Sequence, residues 1–341
     1  MSVYKILNPL LALLVAASLA GCESDATGIV VNDGQHVGIL SCVAEDGESL
    51  VVNVYGSASY SDTARYTVID NVTVSVIVDG AVRQFAYMGD GATSVSLGIA
   101  GVSEGEVMTI EAQSPSMSTL SGSTEIMRKR GIERLDTLTI SGGTTLRMTA
   151  YIRDSVETDD YYQLRALVRS WRDGEVTESA LKCEYISTAF TAASSVVTNE
   201  STGLFDDTRL VTLSNGLSPL TFTTSWADIH TEQGASDSAV VVVRLSHLSG
   251  DYYTFLQTSA QAQEYILLPI FSMTSVHTNV SGGLGIVGSV ARDEVELRLE
   301  TTEQEEDASA EGEASEDESE GENSSEISSG EDEQEGLVAD T

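Results

Sequence analysis

The chain reads as mainly all-β: two β-sandwich-like domains with one helix in the second, between an N-terminal signal peptide and a disordered acidic tail. Three observations predict this. The stretch from about residue 27 to 300 is poor in Pro and rich in Val, Thr, Ser and Gly. Apolar side chains there recur at every second position, the period of a half-buried strand. Turn signals separate many short segments of this kind, as sandwiches require.

The elements follow in order. Val72, Val74, Val76 and Val78 share one strand face, Asp79-Gly80 accepts positive φ cheaply, and Val82 to Phe85 returns, which together predict a β-hairpin. Leu146, Met148, Ala150 and Ile152 form a second alternating set, and Tyr162, Leu164, Ala166 and Val168 a third, joined by the acidic loop Asp154 to Asp160. Ala239 to Leu248 is apolar enough for a strand buried on both faces, and Val295, Leu297 and Leu299 predict the last strand. Asp251 to Gln263 instead puts Tyr252, Phe255, Leu256 and Ser259 at helical spacing, with Asp251 as N-cap, and predicts the one substantial helix. A body of this length exceeds what one core usually serves. A boundary is expected near residues 114–134, where a Ser/Thr/Gly-rich run precedes Arg128-Lys129-Arg130. The expected units are an N-terminal immunoglobulin-like β-sandwich over 27–120 and a second β-rich domain over 130–300.

The two ends differ from the body. Lys5 precedes the apolar run Leu10 to Leu19, which is half the ~20 residues a spanning helix needs. The run ends in Leu19-Ala20-Gly21-Cys22, which resembles a lipobox. Residues 1–21 are therefore expected to be a lipoprotein signal peptide, cleaved between Gly21 and Cys22. Cys22 is the expected lipid-attachment site, with palmitate-class acyl chains, and 22–26 a lipidated tether. The acidic Glu23-Ser24-Asp25 points to the outer membrane, with the cell surface favoured over the periplasmic side. At the other end, residues 303–341 hold 17 acids and no Lys or Arg, so 301–341 is expected to stay disordered as a solvated spacer. The whole chain carries 53 acidic and 17 basic residues, for a net charge of −36. Such a surface repels nucleic acid and excludes it as a partner.

Lipidation of Cys22 leaves Cys42 and Cys183. Exported chains live where disulfides persist, so these two either pair or remain separate buried thiols. The string Gly283-x-Gly285-x-x-Gly288 matches a dinucleotide fingerprint, but no helix follows it, so it reads as a tight glycine-permitted turn. Ser179-Ala180-Leu181-Lys182 is a chance Ser-x-x-Lys match. His36, His230, His247 and His277 are too dispersed for a metal motif, and the pairs Asp159/Asp160 and Asp206/Asp207 read as exposed loop carboxylates rather than Ca²⁺ ligands. Of Tyr161/Tyr162 and Tyr252/Tyr253, strand alternation buries one each. No metal, cofactor or catalytic residue is expected, because no carboxylate pair is singled out by its surroundings.

Several segments together resemble a family of Bacteroidota lipoproteins, domain-of-unknown-function family 4249. They are Leu248-Ser249-Gly250-Asp251-Tyr252-Tyr253-Thr254-Phe255-Leu256 and Thr278-Asn279-Val280-Ser281-Gly282-Gly283-Leu284-Gly285-Ile286. The motif turn is Asn279, Gly282, Gly283, Leu284 and Gly285. Val287 stands where the family commonly has Phe, and the acidic tail departs from its usual ending. The resemblance implies a two-part β-rich outer-membrane lipoprotein encoded beside a TonB-dependent transporter. The expected role is thus a non-enzymatic accessory or nutrient-binding partner of that transporter, with a structural or adhesive surface protein as the alternative.

Overall fold

The described residues are mostly β-strand. The computed structural model describes residues 37–298 apart from 46, 59–65, 100, 155–157, 190–201, 235–237 and 268–274. The first strands are β1 (Gly38–Ala44), β2 (Ser49–Ser57), β3 (Tyr66–Thr67), β4 (Thr73–Val78), β5 (Ala81–Tyr87), β6 (Ser94–Ile99), β7 (Val107–Ser114) and β8 (Met117–Glu125). The next are β9 (Ile132–Ile140), β10 (Thr145–Ile152), β11 (Tyr161–Arg172), β12 (Glu175–Ala180), β13 (Glu184–Tyr185), β14 (Leu204–Asp206) and β15 (Ser218–Ser225). Helix α1 (Trp226–Gln233), β16 (Ser238–Leu248), helix α2 (Gly250–Leu267) and the long β17 (Leu284–Arg298) complete the order.

Two sandwiches result. In the first, the four-stranded sheet β5-β4-β7-β8 faces the sheet containing β1, β2, β3 and β6. Alternation decides what lies between them: Leu40, Cys42, Val52 and Val54 meet Val74, Val76, Met108, Ile110 and Leu120. In the second, β13-β15-β10-β9 faces β12-β11-β16 and the end of β17, with β14 also paired to β11. Met148, Ala150, Leu220 and Phe222 there meet Leu164, Ala166, Val241 and Val243.

Strand β17 serves both sandwiches in turn. Leu284 to Ser289 pairs parallel with β1, and Val290 to Arg298 pairs antiparallel with β16. The chain therefore leaves the first sandwich through residues 126–131 and returns to it with Leu284–Ser289. That sandwich is made from two separated stretches of sequence.

The expected elements appear with instructive differences. Asp79 and Gly80 both have positive φ, +51° and +76°, so the β4–β5 hairpin closes as its sequence predicts. The valines of β4 are fully buried, and β16 is buried on both faces through Val241, Val242 and Val243. The helix expected over 251–263 is α2, which begins one residue earlier, so Asp251 lies in its first turn, where the helix dipole favours an acid. A second, short helix also forms, α1, capped by Ser225 accepting from the Asp228 N–H at 2.9 Å. The Gly-rich string around Gly285 is not confined to a turn. From Leu284 onward it is strand β17.

Candidate functional site

Three stretches of chain converge where the sandwiches meet: the crossing segment 126–131, the start of β11 and the end of β16. Each residue of the crossing segment from Arg128 to Arg130 is fixed. The Arg128 carbonyl meets Nδ1 of His247 at 2.7 Å. The Lys129 N–H donates to Glu104 at 3.2 Å, and its ammonium pairs with Asp293 at 2.9 Å. Arg130 Nη2 donates to Asp160 Oδ2 at 2.9 Å.

Asp160 is the hub of a buried polar cluster. It is 5% exposed, as is His247, and Tyr162 is fully buried. His247 Nε2 lies 3.3 Å from Asp160 Oδ1. The Tyr162 hydroxyl donates to Asp154 at 2.6 Å and approaches Asp160 at 3.3 Å. Its ring stacks between Phe205 and His247, with centroids 5.1 and 5.2 Å away. Burial, then the bond to Asp154, pushes the Tyr162 hydroxyl far above the usual phenol range, so it stays a donor. The Asp160 N–H donates to the Asp207 carboxylate, and the Asp207 N–H to the Asp160 carbonyl, which tethers the β14 end. Both ring nitrogens of His247 thus face acceptors of the protein itself.

Above this floor opens a cleft of about 760 Å3. Ser123 and Arg128 line it from the first sandwich and the crossing, and Asp159, Tyr161, His247 and Asp251 from the second. The size suits a small polar ligand. A ligand there would touch both sandwiches.

The glycine-rich motif adjoins the cleft and explains its own composition. Asn279 forks onto the backbone of Val287, with Nδ2 donating to the carbonyl at 2.8 Å and Oδ1 accepting from the N–H at 2.9 Å. It also donates to Asp251, whose other oxygen pairs with His277 Nε2 at 2.8 Å. A Cβ at Gly283 would stand 2.2 Å from the Gly38 carbonyl, and one at Gly285 would stand 1.9 Å from that of Leu40. The bare backbone lets β17 lie against β1. The neighbouring Ser289 is fully buried, and its N–H donates to Ser249 Oγ at 3.1 Å.

The other expected residues fall elsewhere. Gly21, Cys22, His36 and the acidic tail lie outside the described residues. Of the two alternatives for Cys42 and Cys183, the structure shows separate thiols: both are free. Strand alternation turns Cys42 into the first core, while Cys183 packs against the second. Burial pushes each thiol up to about 12. His230 stacks on Trp226 of α1, away from the other histidines. Asp160 is no exposed loop carboxylate, since its acid is enclosed by Arg130 and His247. Tyr162 and Tyr253 are the buried members of their pairs, and Tyr161 packs on Tyr253 with centroids 4.8 Å apart. The sequence marked the Arg128–Arg130 run but not its partners. A signal was present in His247, an ionisable side chain near the end of a mostly apolar strand.

Fold and site define a class: a β-protein of two sandwiches sharing a terminal strand, with a polar cleft at their junction. The domain of unknown function (DUF4249) matches residues 31–296, and the chain belongs to that family. A search of the curated proteins finds no match. Among solved structures, a two-domain fibronectin type III segment of chicken tenascin is similar over 62% of this chain and 91% of its own, at 9% identity and TM-score 0.20. β-Glucuronidase 3 of Bacteroides uniformis (11% identity, TM-score 0.18) is covered over 23% of its length by 62% of this chain. The β-glucuronidase of Parabacteroides merdae (10%, TM-score 0.18) is covered over 23% by 63% of this chain. Overlaps this slight carry no argument about activity.

Proposed function

We propose that the chain is a lipid-anchored outer-membrane lipoprotein of the Bacteroidota type, acting without catalysis as a ligand-binding accessory of a TonB-dependent transporter. The observation that supports this most is the junction cleft. Its floor is a buried polar cluster of Arg130, Asp160, Tyr162 and His247, joined through the Asp160 carboxylate. A packed polar floor under an open cleft suits the binding of a small polar ligand. The lipobox string ending in Cys22 supports the anchor.

The test is capture of the tagged chain from intact, mildly crosslinked cells of the native host, read by mass spectrometry. The expected result is one TonB-dependent transporter at near-stoichiometric yield. Recovery of no specific membrane partner would instead favour a free-standing structural or adhesive surface protein.

A further inference from the structure

The first sandwich has two outer faces, and they differ in charge. Strands β1, β2, β3 and β6 and residues 284–291 of β17 contain no Asp, Glu, Lys or Arg, although the chain as a whole holds 53 acids. Core-facing positions there would be apolar in any sandwich, but the outward-facing ones have no such requirement. Register puts Ile39 opposite Tyr55 on one side and Leu284 on the other, and Ser57 opposite Tyr66. The rings of Tyr55 and Tyr66 approach to 5.8 Å, and Ser57 donates its N–H to the Val37 carbonyl. Farther along the same face, Val43 packs with Tyr252 and Leu256 of α2, and Ile286 is buried. The near end is left open: Val37 is 42%, Leu284 49% and Tyr66 50% exposed.

The chain itself indicates what covers this patch. Residues 23–36 connect Cys22 to Val37, a reach of at most about 50 Å when fully extended. Val37 belongs to the patch, so the tether joins the body at its uncharged apolar end. An anionic membrane surface repels an acidic body everywhere except at such a face. Tyr side chains favour the level of lipid headgroups.

We infer that Val37, Ile39, Tyr55, Tyr66 and Leu284 dock on the lipid interface of the leaflet holding the anchor. The docking rests on the reading of Cys22 as lipidated. It would orient the junction cleft relative to the membrane rather than leave the body swinging on its tether.

The test uses the full lipidated chain carrying Tyr66→Cys, labelled with an environment-sensitive fluorophore and reconstituted in phosphatidylethanolamine/phosphatidylglycerol vesicles. Cys42 is buried, and half-buried Cys183 is removed by Cys183→Ser in every labelled chain, so the fluorophore reports the introduced cysteine alone. Phe85→Cys is the control, since Phe85 is 75% exposed on β5, a strand of the opposite sheet. The expected result is a blue shift and quenching by brominated lipid at position 66 and neither at position 85. Val37→Cys serves as a second probe of the patch should the first variant misfold. A chain that floats with the vesicles while position 66 stays in water overturns the docking and leaves the anchor standing. Quenching at 85 instead of 66 also overturns it. A chain that does not float overturns the anchor, and the docking with it.

Discussion

Asn279 both donates to and accepts from one residue of the neighbouring backbone. Replacing it by Ala leaves the Val287 N–H and carbonyl without partners, which costs about 2 kcal/mol. Urea titration of Asn279→Ala should show this as a lower midpoint at an unchanged slope. Gly285 is stricter. It has φ +124°, and an added Cβ would meet the Leu40 carbonyl, a backbone atom that cannot step aside. Gly285→Ala is expected to lose more than about 4 kcal/mol, which is read as loss of the folded far-UV dichroism at room temperature. The cysteines make a third case at this scale. Cys42 is buried and Cys183 half-buried, and with both thiols raised they should resist iodoacetamide at pH 8 in the native protein and both react in urea without reductant. A mass unchanged in urea would show them bonded after all. The expected division already put them in different units, but the sequence did not decide between bonded and free, because alternation fixes the face of Cys42 and not its distance from Cys183.

At the scale of elements, the outer face of β11, β16 and β17 carries a lattice of charge. Arg169 meets Glu178, Glu294 and Glu296, while Arg244 meets Glu178 and Glu294. The register that aligns them puts Leu167 opposite Val242 between the arginines, and both are buried although they face outward. Burial alone would raise the carboxyls of Glu178 and Glu294, but hydrogen bonds from Arg244 and Arg169 outweigh it and hold both below the usual range. A lowered folded-state pKa stabilises above the unfolded value, and the contribution is lost as pH falls through the folded value. Thermal melts should therefore fall in midpoint as pH drops below the ordinary Glu range of about 4.3. Glu178→Gln should flatten part of that fall. The strands themselves were legible wherever one face alternates, as in β4, β10 and β11. The lattice was not, because cross-strand neighbours such as Arg169 and Glu294 lie far apart in the chain. The glycines at the start of β17 were read as a tight turn that lets backbones approach; the approach is there, at the Leu40 carbonyl, but from Leu284 the chain runs as a strand rather than a turn.

For the whole molecule, the shared strand couples the two sandwiches. Asn279→Ala perturbs the part of β17 that faces β1, yet its destabilisation should also reach Trp171 on β11. We expect Trp fluorescence and amide exchange of the first sandwich to report one common transition in wild type and variant. Separate transitions would show that the sandwiches melt independently. The acidic net charge acts at the same scale, and raising salt from about 10 mM to about 150 mM should raise the melting midpoint modestly by screening self-repulsion. The junction cluster was legible only as fragments, a basic run, an acidic loop and a stray histidine, because what unites them is the crossing of two sandwiches. The divided first sandwich also sets an order of assembly. A ribosome makes this protein from residue 1 onward, so β1 waits with one edge unpaired until residues 284–289 exist. Until then the nascent N-terminal half exposes an uncharged strand edge, the kind of surface that sticks to other strands. Truncated or stalled chains should aggregate where finished ones do not, and strand β17 decides when the first-made half becomes safe.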